Sequence, residues 1–195
     1  MFTVDPSYPI KYTEFAQALR STGTYTHEEI MLFKREVKVK VAQRGEVLTA
    51  QGETAKSVFY LLKGAVYQHT ANSVIDLHLE SEWFFNHQSF VSQRPSDVEI
   101  AAFAESTMLE VSLESIHYLI TKSPAFFQMN KIMAQAKQRL YFYDNKLSPL
   151  QQYQFIIDNK PELLQKFPLQ IIALYLKIAP ETLSRARERL FKRGS

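Results

Sequence analysis

The chain of 195 residues contains no cysteine, which removes disulfides, thiolate metal sites, cysteine-ligated iron–sulfur clusters and thiol-based redox sensing together. Glycine is scarce at five residues, and no P-loop, dinucleotide fingerprint, GxSxG or HExxH pattern is present. No apolar run approaches the roughly eighteen residues of a membrane span. The N-terminal MFTVDPSYPIKYTEF lacks a basic region followed by a leader-like apolar stretch. The expectation is a cytoplasmic chain with no membrane contact, no metal and no cofactor. Apolar residues make up 46% of it, enough for a substantial core in one or two domains.

Net charge is small, at +3, but unevenly placed. From Lys177 onward, six basic residues face two acidic ones, a local balance of +4 that leaves the preceding 176 residues at −1. Such concentration suits local phosphate neutralisation. The same end of the chain, Leu169 to Arg193, reads as two short amphipathic helices with a break. Ala173, Ile172, Leu176, Ile178, Leu183 and Ala186 fall where two crossing helices bury side chains against each other. Pro180 suits the first turn of the second helix, and Glu181 the positive end of its dipole. This is the pattern of a helix-turn-helix that reads double-stranded DNA. The plainer alternative is a solvated basic helix, and the apolar register over some twenty residues weighs against it.

On the second helix Glu181, Thr182 and Arg185 share a face that Glu188, Arg189 and Lys192 continue or flank. The Arg185 fork fits guanine O6 and N7, and Glu181 can accept from a cytosine amino group. Thr182, Ser184, Arg189 and Lys192 supply donors for phosphates.

Upstream the texture differs. Tyr12 to Leu19 and Thr26 to Lys34 read as short helices, the second opened by Thr26 with Glu29 three residues on, a capping box. Residues 37–42, 47–50, 57–62, 65–70, 73–80, 98–104 and 108–112 are short strand candidates, with Gly45, Gly52 and Gly64 between them. Seven short strands with tight turns suggest a compact β-barrel or jelly roll, and the chain as a whole an α+β fold. After Pro124, Met129, Met133, Ala136, Leu140, Tyr143 and Leu147 recur at heptad spacing. Two readings stand: a seam between the parallel helices of a homodimer, or a stripe packed on the chain's own barrel with Phe126, Phe127 and Ile132. A two-fold dimer would present two recognition helices to half-sites about one helical turn apart.

Read in order, these elements resemble the cyclic-AMP receptor and fumarate-nitrate regulator (Crp/Fnr) superfamily of bacterial transcription factors. The resemblance covers essentially the whole chain and rests on Gly45, Gln51 to Glu53 (QGE), Val58 to Gly64 (VFYLLKG) and Ala179 to Leu190 (APETLSRARERL). The spacing of SEWFFNHQSFVSQRPS resembles Bacteroidetes-like versions. It implies a cyclic-nucleotide-binding-like β-roll over residues 1–122, a dimerisation helix over 123–147 and a winged helix-turn-helix over 148–195. By position, Gln170 looks like a phosphate contact, and Glu181, Thr182, Ser184 and Arg185 fall on the family's base- and backbone-contacting cluster. Lys177 stands where glycine usually turns the motif.

The departures lie in the nucleotide site. Nucleotide-binding members carry a Gly-Glu pair for the ribose and then an Arg-Ser or Arg-Thr pair for the cyclic phosphate. Here those places read Phe85-Asn86 and Pro95-Ser96, with Arg94 one residue away. A phenylalanine prevents close backbone approach, and proline offers neither charge nor N–H. The expectation is a regulator that does not answer to cyclic AMP. The segment holds Trp83, Phe84, Phe85, Phe90 and Phe103, which either fill the vacated cavity or, with Asn86, His87, Gln88, Arg94 and Ser96, bind an unknown and more apolar effector.

Two rival classes remain. A barrel metalloenzyme would need convergent His and carboxylate ligands, but Asp76, His78 and Glu80 alternate with apolar residues and read as a strand's wet face. A protein-interaction module would not need the clustered Arg185, Arg187, Arg189, Lys192 and Arg193. Activation of transcription would require a surface for RNA polymerase, and no residue pattern marks one. For the dimer reading, Ala136→Glu should convert the protein to monomers in analytical ultracentrifugation; an unchanged dimer would remove the seam.

Overall fold

The computed structural model describes residues 10–141 and 147–193. Two helices lead into the sheets, α1 (Tyr12–Arg20) and α2 (His27–Glu36). The capping box is present: the Thr26 hydroxyl accepts the Glu29 N–H at 3.2 Å, and the Thr26 N–H donates to Glu29 Oε2 at 2.8 Å. The second Glu29 oxygen takes the Ser123 hydroxyl at 2.6 Å. That bond and the Thr26 N–H hold the Glu29 carboxyl below the usual carboxylate range. One side chain thus caps α2 and anchors a segment ninety-four residues downstream.

Eight strands follow: β1 (Lys38–Ala42), β2 (Val47–Thr49), β3 (Ser57–Lys63), β4 (Val66–His69), β5 (Val74–His78), β6 (Trp83–Phe84), β7 (Glu99–Ala102) and β8 (Ser106–Ser112). They form two antiparallel four-stranded sheets, in the orders β1-β8-β3-β6 and β2-β7-β4-β5. This is the two-Greek-key jelly roll that the spacing predicts. The predicted strands match within about two residues, but β6 and the short helix α3 (His87–Ser92) have no counterpart in the sequence reading. Neither does α4 (Leu113–Lys122).

Strand β3 explains why its sequence is apolar without alternation. Phe59 and Leu61 point into the roll with Val66, Phe84, Ile100 and Met108. Val58 and Tyr60 point out, into a second core with Leu19, Ile30, Phe33, Leu119 and Phe126 from the helices. A strand covered on both faces has no wet side to encode. Burial pushes the Tyr60 phenol up from its ordinary pKa, against the opposing hydrogen bonds of Ser81 and Gln17.

Beyond α4 the chain makes a 3₁₀ helix (Pro124–Met129) and then α5 (Asn130–Tyr141). This corrects the heptad seam at its start. Met129 belongs to the 3₁₀ helix, is 3% exposed and is sealed in the chain's own core, on which the half-buried Met133 also packs. Neither is a free seam residue, because the stripe's first turn is spent on the roll. Tyr143 lies outside the described residues, as do the side chains of Ala136 and Leu140.

Four helices complete the chain: α6 (Pro149–Asn159), α7 (Glu162–Lys166), α8 (Leu169–Tyr175) and α9 (Pro180–Arg193). Among the described residues no strand follows β8, so the wing that the resemblance implies has no counterpart there. The four helices share one core with the roll: Tyr153, Ile156, Leu163, Ile172 and Leu183 cluster with Ala65, Val74, Leu77 and Leu79. Lys160 pairs with Glu82 at 2.8 Å and Lys166 with Glu80 at 3.3 Å across the junction. The Phe103 and Phe167 rings meet there at 4.7 Å. Among the described residues no helix is long and apolar enough to cross a membrane.

Gly64 tests the roll's closure. Its φ is +104°, and an added Cβ would lie 2.5 Å from the Glu105 carbonyl oxygen and 2.7 Å from Ser106 Cα, whereas at Gly45 (φ +84°) nothing lies within 4 Å. Gly64→Ala should therefore cost more than about 2 kcal/mol in urea unfolding, and Gly45→Ala about 1 kcal/mol.

Candidate nucleic-acid interface and roll pocket

The C-terminal motif folds at the predicted residues. Ile172, Ala173, Leu176, Leu183 and Ala186 are buried and Ile178 is half-buried. Between the helices, Ile178 donates its N–H to the Ala173 carbonyl at 3.0 Å, and Leu183 donates to Ala179 at 3.1 Å. Lys177 takes the turn with φ +55°, a left-handed conformation that costs a non-glycine residue about 1 kcal/mol. The close crossing at Ala173 is therefore kept despite the missing glycine.

With the apolar face of α9 buried, its other face is solvent-exposed at Glu181, Ser184, Arg185 and Arg189, and half-buried at Thr182. Gln170 on α8 is exposed. The side chain of Lys192 lies outside those described. The Arg185 Nε donates to the Glu181 carbonyl at 3.3 Å, which aligns its stem along the helix.

Sequence reasoning missed one wall of this face. Thr182, Arg185 and Arg189 border a depression of about 360 Å³ whose other side is Ser148, Pro149 and Leu150, the first turn of α6. Ser148 caps α6 through the Gln151 N–H, and Gln151 answers the Ser148 N–H at 2.8 Å. The spacing of Ser148, Pro149 and Gln151 is the signal that marks this helix start. Two guanidiniums and a helix N-terminus facing one groove form a surface suited to phosphate oxygens.

The roll pocket is different in charge and size. A cavity of about 210 Å³ is bordered by Phe84, Phe85, Asn86 and His87, with Trp83 at its edge, and by Gln68, Asp76, His78 and Asp97. It is smaller than the roughly 300 Å³ at which small-molecule sites begin. Arg94 and Ser96 do not line it. Arg94 is exposed and takes part through its carbonyl, which accepts the Ser89 hydroxyl at 2.5 Å. Ser96 is buried, accepts from the Asn86 amide and donates to the Val98 carbonyl. Asn86 in turn caps α3 through the Ser89 N–H at 2.9 Å. These two polar side chains hold the loop and are spent on it.

The rings are spent as well. Trp83 gives its indole N–H to Ala18 and Ser21 on the helices, at 3.2 and 2.9 Å. Phe84 stacks on Phe59 at 5.3 Å, and Phe85 meets Phe90 edge-on at 5.3 Å.

His78 corrects the wet-face reading of β5. It is 1% exposed, because α8 covers one face of β5 and the roll interior the other. Gln68 donates to the Phe85 carbonyl at 3.1 Å and approaches His78 Nε2 at 3.0 Å. The Nδ1 of His78 faces Glu82 Oε2 at 3.7 Å, while Asp76 lies 3.7 Å from Nε2. A polar chain thus runs from the pocket through His78 and Glu82 to Lys160. Among the described residues no group of three or more His, Asp or Glu side chains is placed to hold a metal.

Residues 39–123 match the family model described as the cyclic nucleotide-binding domain. No curated protein sequence matches the chain. Among solved structures, FixK2 from Bradyrhizobium japonicum is similar with a TM-score of 0.67 at 16% identity, over 81% of this chain and 86% of that one. A CooA mutant from Carboxydothermus hydrogenoformans reaches 0.63 at 17% identity, over 84% and 79%. The catabolite activator protein of Thermus thermophilus reaches 0.54 at 16%, over 91% and 88%. At these identities the likeness is one of fold.

Proposed function

We propose that this chain, whose residues 39–123 carry a cyclic nucleotide-binding domain by their match, is a dimeric, sequence-specific DNA-binding transcription regulator of the Crp/Fnr kind that does not answer to cyclic AMP. The observation that carries the DNA part is the groove between α6 and α9, where Arg185 and Arg189 stand beside a capped helix N-terminus. Arg185 and Glu181 read base edges; Thr182, Ser184, Arg189, Lys192 and Gln170 position the phosphates. The local charge of +4 supports the same reading.

Against cyclic AMP stands the electrostatics of the roll pocket. Among the described residues its charged lining consists of Asp76 and Asp97, with no lysine or arginine. A cyclic phosphate placed there would face two carboxylates at short range, and even in a partly solvated site one like-charge contact costs on the order of several kcal/mol. The rings that would have to move for a purine are already packed. Dimerisation falls to the part of α5 beyond Met133, since the earlier turns serve the roll.

Selection of bound duplexes from a random pool at near-physiological salt should enrich a palindrome with half-sites about one helical turn apart. Arg185→Ala should relax specificity at one base pair by about 1–3 kcal/mol, while Arg189→Ala should weaken all sequences alike and flatten the salt dependence. Equal, sequence-independent losses for both would overturn the reading role of Arg185. Calorimetry with cyclic AMP should show no binding at concentrations up to about 1 mM, and a micromolar dissociation constant would overturn the nucleotide argument.

A further inference from the structure

The turn from Gln51 to Glu53 takes no part in DNA reading, yet its glutamate borders an open groove of about 410 Å³ between β2, β3 and β8. That volume is within the range of small-molecule sites. The groove shares no lining residue with the roll pocket. Two carboxylates, Glu53 and Glu110, and the hydroxyl residue Thr49 border it together. We propose that this groove is a binding site for a small aliphatic ammonium ion.

The strand register brings Glu110 here. Met108 on β8 and Phe59 on β3 point into the roll, and side chains two residues away along a strand lie on the same face. Glu110 and Ser57 therefore share that inner face, where the Ser57 hydroxyl donates to Glu110 Oε1 at 2.8 Å. Glu53 comes from the turn, where its Oε2 accepts the Ala50 N–H at 3.1 Å. The turn is fixed independently of any ligand. The Gly52 N–H donates to the Ser96 carbonyl and the Ser96 N–H to the Glu53 carbonyl, both at 2.8 Å. Gly52 itself has a φ of +87°, which favours glycine.

The sign of the charge follows from what these groups have left. Among the described residues, no ion pair includes Glu53 or Glu110, and one oxygen of each carboxylate accepts no hydrogen bond. The single cation on the lining, Lys56, is solvent-exposed and pairs with neither. Thr49 is the second observation: it is 8% exposed, borders the groove and makes no side-chain hydrogen bond among the described residues. A buried hydroxyl left without a partner is costly. An alkylammonium head carries three N–H donors, matching in number the two carboxylate oxygens and this hydroxyl, while Leu48 and Phe59 border the groove as apolar cover for a short chain. The carboxylate Asp76 of the roll pocket is less available, since Oδ1 accepts the Leu77 N–H at 2.8 Å and Oδ2 faces His78 at 3.7 Å.

The full chain would be titrated with n-butylammonium chloride at constant ionic strength and followed by two-dimensional amide NMR, with tetramethylammonium and potassium chlorides as cations that have no N–H to donate. We expect saturable shifts at residues 48–57 and at Glu110, with a dissociation constant of about 1 mM. Tetramethylammonium and potassium should produce no saturable shift there. Glu53→Gln and Glu110→Gln each keep an acceptor for the Ala50 N–H or the Ser57 hydroxyl, and each should weaken binding about tenfold. Thr49→Val, which keeps the shape and removes the hydroxyl, should weaken it about threefold, and Asp76→Asn should leave it unchanged. The amide spectrum of each variant verifies its fold. No saturable shift, an equal response to tetramethylammonium or potassium, or full affinity in both glutamine variants would overturn the proposal. So would loss of binding in Asp76→Asn, which would move the site to the roll pocket. None of these outcomes bears on DNA reading, which is measured separately.

Discussion

Three consecutive rings, Trp83, Phe84 and Phe85, hold the helical core and the interior of the roll in register. Extended backbone sends neighbouring side chains to opposite faces, so Trp83 and Phe85 enter the helical core and Phe84 the interior of the roll. The strand that carries them is two residues long, and backbone pairing alone would hold it weakly. Its stability comes from the rings on either side, from the Trp83 hydrogen bonds to α1 and from the stack of Phe84 on Phe59. The position of α3 and the shape of the roll pocket both depend on this short segment.

Charge is sorted along the molecule in a way that matches this division. The roll pocket is bordered by carboxylates and buried imidazole, the junction by paired opposite charges, and the α6–α9 groove by guanidinium groups. On electrostatic grounds the α6–α9 groove favours a polyanion, while the carboxylates at the roll pocket disfavour one. The Lys160–Glu82 pair is partly shielded from water, whereas Lys166–Glu80 is exposed, so together they set the seating of the C-terminal helices more than they add stability.

Much of this was legible from residue order. The capping box of Thr26 and Glu29, the turn at Lys177, the start of α9 at Pro180 and the burial of Ile172, Ala173, Leu176 and Leu183 are local matters, encoded within one or two turns. What escaped depends on contacts between distant segments. His78 reads as a wet-face residue because alternation identifies two faces but not what covers them, and here both are covered. The heptad stripe from Met129 looks continuous because spacing does not distinguish a 3₁₀ turn from an α-helical one. SEWFFNHQSF has neither period, so β6 and α3 leave no signature. The groove opposite Arg185 belongs to a helix some thirty-five residues earlier, and Lys160 and Glu82 meet only in three dimensions.

The shared core at the junction carries a further meaning. Ala65, Val74, Leu77 and Leu79 of the roll sit in the same apolar cluster as Tyr153, Ile156, Leu163 and Leu183, so the boundary between the roll and the C-terminal helices passes through a hydrophobic interior. Severed in the linker, each half would expose its share of that interior to water. The C-terminal helices are thus not an interchangeable cassette. Grafting them onto a different roll would require its outer sheet face to be recut to the same relief, and divergence on one side of the seam constrains what the other side can become.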